Sequence, residues 1–198
     1  MLARRTLSAT FAARRAQARI DSLQRTQRLQ HALYEIADLA SANLEMGEML
    51  DRIHALVGGL MYAANFFIVL YDELHEAVRF LYFADQRDPW VPDPDSEIPV
   101  AEMGNSLTVA LLRHGKPLRG PSARLRRDIG VQLDPRHGPD SADWLGVPMR
   151  RDERVSGAIV VQSYDRPGVY SDDDRALLEY VAQHIQTALD RKQLQVEL

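Results

Sequence analysis

Residues 143–165 read DWLGVPMRRDERVSGAIVVQSYD. Two apolar runs, Trp144–Met149 and Val155–Val161, flank a charged turn, Arg150-Arg151-Asp152-Glu153-Arg154. Strand-length runs separated by a short polar turn predict a β-hairpin. The second run places Ile159, Val160 and Val161 in succession, so neither of its faces suits water. A buried central strand of this kind floors either a catalytic site or a ligand pocket, and the rest of the chain has to say which.

A second pair of strands precedes it. Asn65–Tyr71 (NFFIVLY) is aromatic and β-branched, and Val78–Phe83 (VRFLYF) returns after a turn at 72–76. Alternation puts Phe67, Val69 and Tyr71 on one face and Phe66, Ile68 and Leu70 on the other. In the returning strand it sets Phe80 and Tyr82 against Leu81 and Phe83. Both faces are apolar, so both are covered. Residues 85–96 (DQRDPWVPDPDS) hold three prolines and read as loop. Glu97–Val100 is extended, and a helix spans about Asn105 to Arg113 before Gly115. Lys116–Arg119 is a short strand or turn, and 120–142 is a long polar loop.

Helices enclose this core. Residues 3–28 are good helix formers without Pro or Gly. From Leu29 a stripe of Leu29, Leu33, Ile36 and Ala40 marks one helix face and a short coiled-coil seam. A second helix runs from about Met46 to Val57 and ends at Gly58-Gly59. The last begins at Ser171, whose spacing to Asp174 resembles a capping box, and runs on towards Leu198. Strands arriving in hairpins, with helices before, between and after, predict an α+β fold. Its sheet is mainly antiparallel with about six strands, helices lie on both faces, and long helices form both ends.

Composition narrows the chemistry. The chain has 198 residues, 45% hydrophobic and 26% charged, which suits one globular domain. No run reaches the ~20 apolar residues of a membrane span. There is no cysteine, which removes disulfides, thiolate metal sites and a cysteine nucleophile and fits a reducing, cytoplasmic setting. The net charge of −4 is uneven: residues 1–28 carry seven Arg against Asp21, or +6, leaving −10 for the remainder. Such an arm suits nucleic acid, anionic lipid, an import signal or simply a solvated helix. No aromatic or glycine pattern for nucleic acid accompanies it, so none is expected. The six histidines lie far apart in sequence and no phosphate loop or nucleophile elbow occurs, so no catalytic residue and no metal site is assigned.

A sheet face roofed by loop 85–104 and helix 105–113 is a common small-ligand site. The plainer alternative is that its aromatics pack on one another and fill the space. At this point the residues resemble a known family. LYEIADLAS (33–41), MYAANFFIVLYDE (61–73), RFLYFADQRD (79–88), LLRHGKPL (111–118), DSADWLGVPM (140–149) and SGAIVVQSYD (156–165), followed by YSDDDRALLEYVAQHIQTALDR (170–191), are similar to GAF domains, the sensor modules of signalling proteins. The resemblance covers about four-fifths of the chain. Its wording looks most like GAF domains that precede diguanylate cyclase (GGDEF) or cyclic-di-GMP phosphodiesterase (EAL) modules, and similar wording precedes histidine kinases. None of those motifs is in this chain.

The resemblance implies a division into a basic arm at 1–28, a GAF domain at 29–190 and the start of a connector helix at 191–198. It implies a homodimer through the terminal helices and a pocket over the sheet. By position Phe67, Val69, Phe80, Tyr82, Trp90, Leu107, Thr108, Trp144 and Met149 are its expected lining. The NKFDE motif of cyclic-nucleotide-binding relatives is absent, as are the Cys that anchors bilin and the cysteines of relatives that reduce methionine sulfoxide. No covalent bilin is therefore expected, the ligand is left open, and the chain itself reads as non-enzymatic. A ligand-free dimerisation module remains the rival reading.

Overall fold

The structure, a computed structural model, describes residues 2–134, 136 and 138–196. Met1, Pro135, His137 and residues 197–198 at the end of the expected connector lie outside the described residues. The elements in chain order are α1 (Leu2–Ser41), α2 (Met46–Gly58), β1 (Asn65–Asp72), β2 (Ala77–Ala84), β3 (Ile98–Pro99), a 3-10 turn (Val100–Met103), α3 (Leu107–His114), β4 (Leu118–Pro121), α4 (Ser122–Ile129), β5 (Asp143–Arg151), β6 (Arg154–Ser163) and α5 (Asp172–Val196).

The six strands form one antiparallel sheet in the order β3-β2-β1-β6-β5-β4. The fold is α+β, as the hairpin spacing requires. The hairpin of 143–165 supplies β5 and β6, closed by Asp152 and Glu153, both at positive φ (46° and 70°). Paired positive φ values make a tight two-residue turn whose twist matches the strands it joins. β6 sits between β1 and β5, which is why its faces are both apolar.

Each face has its own core. On one, Phe66, Ile68, Leu145, Val147, Ile159 and Val161 pack with α1, α2 and α5. On the other, Phe67, Val69, Phe80, Trp144, Ala158 and Val160 pack with α3 and the 3-10 turn. α1 has no glycine at its C-terminus. Instead Arg191 of α5 donates to the carbonyls of Ala40, Ser41 and Ala42, and Lys192 to that of Leu44. Cationic donors on orphan carbonyls complete a helix end and suit its dipole. This locks the two terminal helices together beside the domain.

Residues 3–40 fall in one continuous helix, as their composition predicts. Two expectations change. The span 120–142 is not all loop, because Ser122–Ile129 is helical, with Leu125 and Ile129 turned to the core and Gly130 closing it at φ 77°. Its three arginines hid a four-residue apolar spacing. The extended piece at 97–100 shrinks to two paired residues, since Pro99 has no N–H to give a neighbour and the edge ends there.

Candidate functional site

A cavity of about 490 Å³ lies on the α3 side of the sheet. Its floor comes from β1, β2, β5 and β6, its walls from α3, loop 85–90, Arg126 of α4 and residues 131–134, 136 and 138–141. Of the expected lining, Phe67, Phe80, Trp90, Leu107, Thr108 and Trp144 meet there. Val69 shares their face but is fully covered in the apolar cluster with Val100 and Leu112.

Tyr82 and Met149 are on the opposite face. The cause for Tyr82 is a β-bulge: Ile68 pairs with Tyr82 and Val69 with Phe80, so Leu81 is the extra residue. Alternation across β2 breaks there, and Phe83 takes the place beside Phe80 that was expected for Tyr82. Met149 is five residues from Trp144 on one strand, an odd separation that puts the two on different faces; Met149 packs with Leu145 and Val147. Tyr82 instead donates to Asp51 (3.0 Å) and meets Nδ1 of His54 (2.9 Å), whose Nε2 donates to the Ala63 carbonyl (2.6 Å). Burial and then the Asp51 contact push the Tyr82 hydroxyl up to about 12.

The aromatic wall is a single cluster. Trp90 meets Phe80 (centroids 5.0 Å, 89°) and Phe83 (5.4 Å, 79°) edge-on, and Phe67 lies 5.7 Å from Phe80. Edge-to-face pairs of this kind add about 0.5–1.5 kcal/mol each beyond burial. Trp144 is held down over Gly146: a Cβ there would stand 2.4 Å from the indole and 2.8 Å from Leu111. Only glycine lets the ring lie flat enough to leave the cavity open.

The polar end is organised by Asp85. Its Oδ1 accepts from the backbone N–H of Arg87 and Asp88, both at 2.8 Å. Its Oδ2 accepts from the Tyr164 hydroxyl (2.7 Å) and Gln162 Nε2 (3.1 Å), and Gln162 Nε2 also donates to the Tyr164 oxygen (3.0 Å). Burial, then the Asp85 carboxylate, raise the Tyr164 pKa far above its ordinary value, so the hydroxyl stays a donor. Asn65 adds a second strap, accepting from Gln86 N–H and donating to the Gln162 carbonyl. Loop 85–90 is thus fixed to β1 and β6. Across the cavity Arg126 pairs with Asp140 (2.7 Å) and Ser122 Oγ lies 2.7 Å from Ser141 Oγ.

The sequence 43–190 matches the family model described as GAF domain, which is most of the chain. The chain belongs to the GAF domain family. Among solved structures this GAF domain resembles the GAF domain of a phosphoenolpyruvate-protein phosphotransferase from Coxiella burnetii, with 16% identity, a TM-score of 0.68, and coverage of 87% of this chain and 98% of that one. It also resembles a methyl-accepting chemotaxis protein, with 13% identity, a TM-score of 0.64, and coverage of 83% and 99%. A third is free methionine-R-sulfoxide reductase from Neisseria meningitidis in complex with its substrate, with 13% identity, a TM-score of 0.55, and coverage of 82% and 91%. At these identities the likeness is one of fold. No curated protein matches the sequence.

Besides Phe83 and other apolar neighbours such as Ile98 and Met103, sequence reasoning missed the polar lining, which includes Asp88, Arg126, Asp140, Ser141, Gln162 and Tyr164. Gln162 had a signal, since it continues the Ala158, Val160 face towards the end of its strand. The other polar residues named sit in loops and in α4, where no periodicity reports which way a side chain turns. Among the described residues no group of three or more His, Asp or Glu is placed to hold a metal, and no helix is long and apolar enough to cross a membrane.

Proposed function

We propose that this GAF domain is a sensory module that binds a small molecule in the cavity over β1, β2, β5 and β6 and reports its presence through α5. The observation that supports this most directly is the cavity itself: the aromatic side chains pack as one wall and still leave about 490 Å³. That volume lies within the range of small-molecule sites. A route outward exists too. Ser141 lines the cavity, and two residues on the buried Asp143 accepts from the N–H groups of Val169 (2.7 Å) and Tyr170 (3.1 Å), just before α5. Arg119 of β4 holds the same corner through the Tyr170 carbonyl and Asp172. Movement of segment 138–142 would therefore reach the start of α5. A ligand drives such a change only if it binds the two arrangements unequally.

The reading includes a homodimer through the terminal helices. Ile36, Ala40 and Leu33 of α1 face the domain. A different face carries Ala13, Ala16, Ile20, Leu23, Gln27, Gln30 and Tyr34, spaced three and four apart, and all of these except Gln30 and Gln27 are apolar or small. Ile20, Leu23 and Tyr34 are 47%, 63% and 73% exposed, an uncovered seam of heptad spacing. The basic arm at 1–28 would then be part of this helix rather than a nucleic-acid tail. Light scattering is expected to give a dimer, and Leu23→Asp a monomer; a wild-type monomer at micromolar concentration would sink this part. The output that α5 controls would be cyclic-di-GMP synthesis or hydrolysis, as the GGDEF- and EAL-linked resemblance suggests, with a histidine kinase as the alternative. Coding sequence beyond Leu198 tests that directly.

Ligand binding is tested by thermal shift and fluorescence. The chain has two tryptophans, Trp90 and Trp144, and both line the cavity. A bound compound at a hundred times its Kd stabilises the fold by about 2.7 kcal/mol and raises Tm. A screen of metabolites and cyclic nucleotides that moved neither signal would favour the ligand-free dimerisation module.

A further inference from the structure

The walls of the cavity are unequal in charge. Its described lining includes Asp88, Glu102, Asp134 and Asp140 against Arg126 and Arg136, four negative charges to two positive. Both cations are already engaged within the wall. Arg126 pairs with Asp140 at 2.7 Å, and Arg136 with Asp134 at 2.6 Å and through two further contacts from its Nε. An anionic ligand would meet, in the described lining, two arginines that are already spoken for.

Asp88 is placed differently. Its Oδ1 accepts the Trp90 N–H at 3.0 Å, in the turn that brings Trp90 to the aromatic wall. Its Oδ2 lies against Gly138, where a Cβ would approach to 2.7 Å, so the carboxylate sits between loop 85–90 and Gly138. Among the described residues no Lys or Arg is paired with it. A cation in the cavity beside it would gain the attraction of an unlike charge.

Gln162 adds a second acceptor. Only its nitrogen can donate, and that nitrogen serves both Asp85 and Tyr164. This fixes the amide orientation and leaves the side-chain oxygen of this cavity-lining residue outside the Asp85–Tyr164 network. The Tyr164 proton is spent on Asp85. Any hydrogen bond that Gln162 makes to the cavity through its side-chain oxygen is one it accepts, and the side chains next to it are aromatic, a class that attracts cations.

We propose that the cavity takes a small organic cation, a protonated amine or a guanidinium, with Asp88 as counter-ion, the Gln162 side-chain oxygen as acceptor and the Phe80–Phe83–Trp90 wall against its apolar body. This rests on the reading of the cavity as the ligand site. The test uses the whole chain and four probes: 2-phenylethylamine, agmatine, the neutral 2-phenylethanol and the anionic 3-phenylpropanoate. Tryptophan fluorescence and Tm are followed at pH 7. At least one amine or guanidinium probe is expected to bind ten-fold or more tighter than the alcohol, with no response to the carboxylate. Asp88→Asn, which keeps the acceptor for Trp90 N–H, is expected to weaken the cationic probe ten-fold or more and leave the alcohol unchanged. The probe series on the wild-type chain decides the matter even if that variant folds poorly. Alcohol or carboxylate binding as tightly as the amines, or an Asp88→Asn protein that binds amines normally, overturns the cation assignment and leaves the cavity a ligand site. No response to any charge class overturns both readings.

Discussion

The two faces of the sheet are built from adjacent residues of the same strands, yet they are packed for different ends. Ile159 and Val161 enter a core shared with α1, α2 and α5, in which Ile36, Leu50, Ile53, Leu178 and Ile185 are also fully buried. Ala158 and Val160, one position away, enter a core that opens into a cavity lined with aromatic and charged groups. Long helices cover a sheet face mostly with apolar side chains. A short helix and loops cannot, and they bring polar backbone and side chains that need internal partners such as Asp85. The first face makes the fold and the second keeps space inside it.

The contrast is broken most severely by truncation on the helix-backed face. Leu145→Ala removes a fully buried side chain between β5 and α5 and is expected to cost about 2–5 kcal/mol. Trp90→Ala, in the cavity wall and 42% exposed, is expected to cost on the order of 1 kcal/mol while abolishing the ligand response. Urea denaturation of both variants checks the pair; equal losses would mean that the cavity face carries as much of the fold as the other.

Gly146→Ala tests the boundary between the two. The new methyl would collide with the Trp144 ring and Leu111, both on the cavity side. Overpacking of this kind costs about 1–3 kcal/mol, relieved by lifting the indole into the cavity. The expected signature is a shifted Trp144 emission together with weakened probe binding. Unchanged emission would show that α3 yields instead.

A smaller loss is expected at the start of α5. Ser171 Oγ accepts from Asp174 N–H at 3.2 Å, and Asp174 Oδ2 accepts from Ser171 N–H at 2.7 Å, a reciprocal cap. Ser171→Ala is expected to lower stability by about 1 kcal/mol, read as a lower urea midpoint with an unchanged slope. Probe affinity should hold, because this cap serves the helix-backed layer.

Much of this division was legible beforehand. Apolar runs with opposite faces, as in Asn65–Tyr71 and Val155–Val161, announced a sheet covered on both sides, and the Ser171–Asp174 spacing announced the cap. Six of the nine expected lining residues reach the cavity: Phe67, Phe80 and Trp144 on three strands, and Trp90, Leu107 and Thr108 in the loop and helix that were expected to roof the sheet. What failed was register. The bulge at Leu81 leaves no mark in composition, so Tyr82 was expected beside Phe80 and Phe83 was not. Met149 was a different error, since its odd distance from Trp144 was readable. The polar end was out of reach: Asp85, Gln162 and Tyr164 are brought together across 79 positions by strand pairing, and a carboxylate that organises a loop looks in sequence like any solvated Asp.

The smallest expected effect lies in pH, again on the helix-backed side. His184 of α5 lies against Tyr180, centroids 4.3 Å apart, and Tyr180 donates to the Leu33 carbonyl of α1. Burial lowers the His184 pKa from its ordinary 6.5. The folded protein therefore binds this proton less readily than the unfolded chain. Its contribution to stability is present above about pH 6.5 and is lost as pH falls through the lower, folded value. His184→Gln is expected to flatten the stability profile across that window, leaving the alkaline side nearly unchanged. The cavity face carries no such histidine among its described lining, so probe affinity in the variant should follow the wild-type pH profile. If affinity and stability shifted together, the terminal helices and the cavity would be coupled through α5 more tightly than the Asp143 corner alone provides.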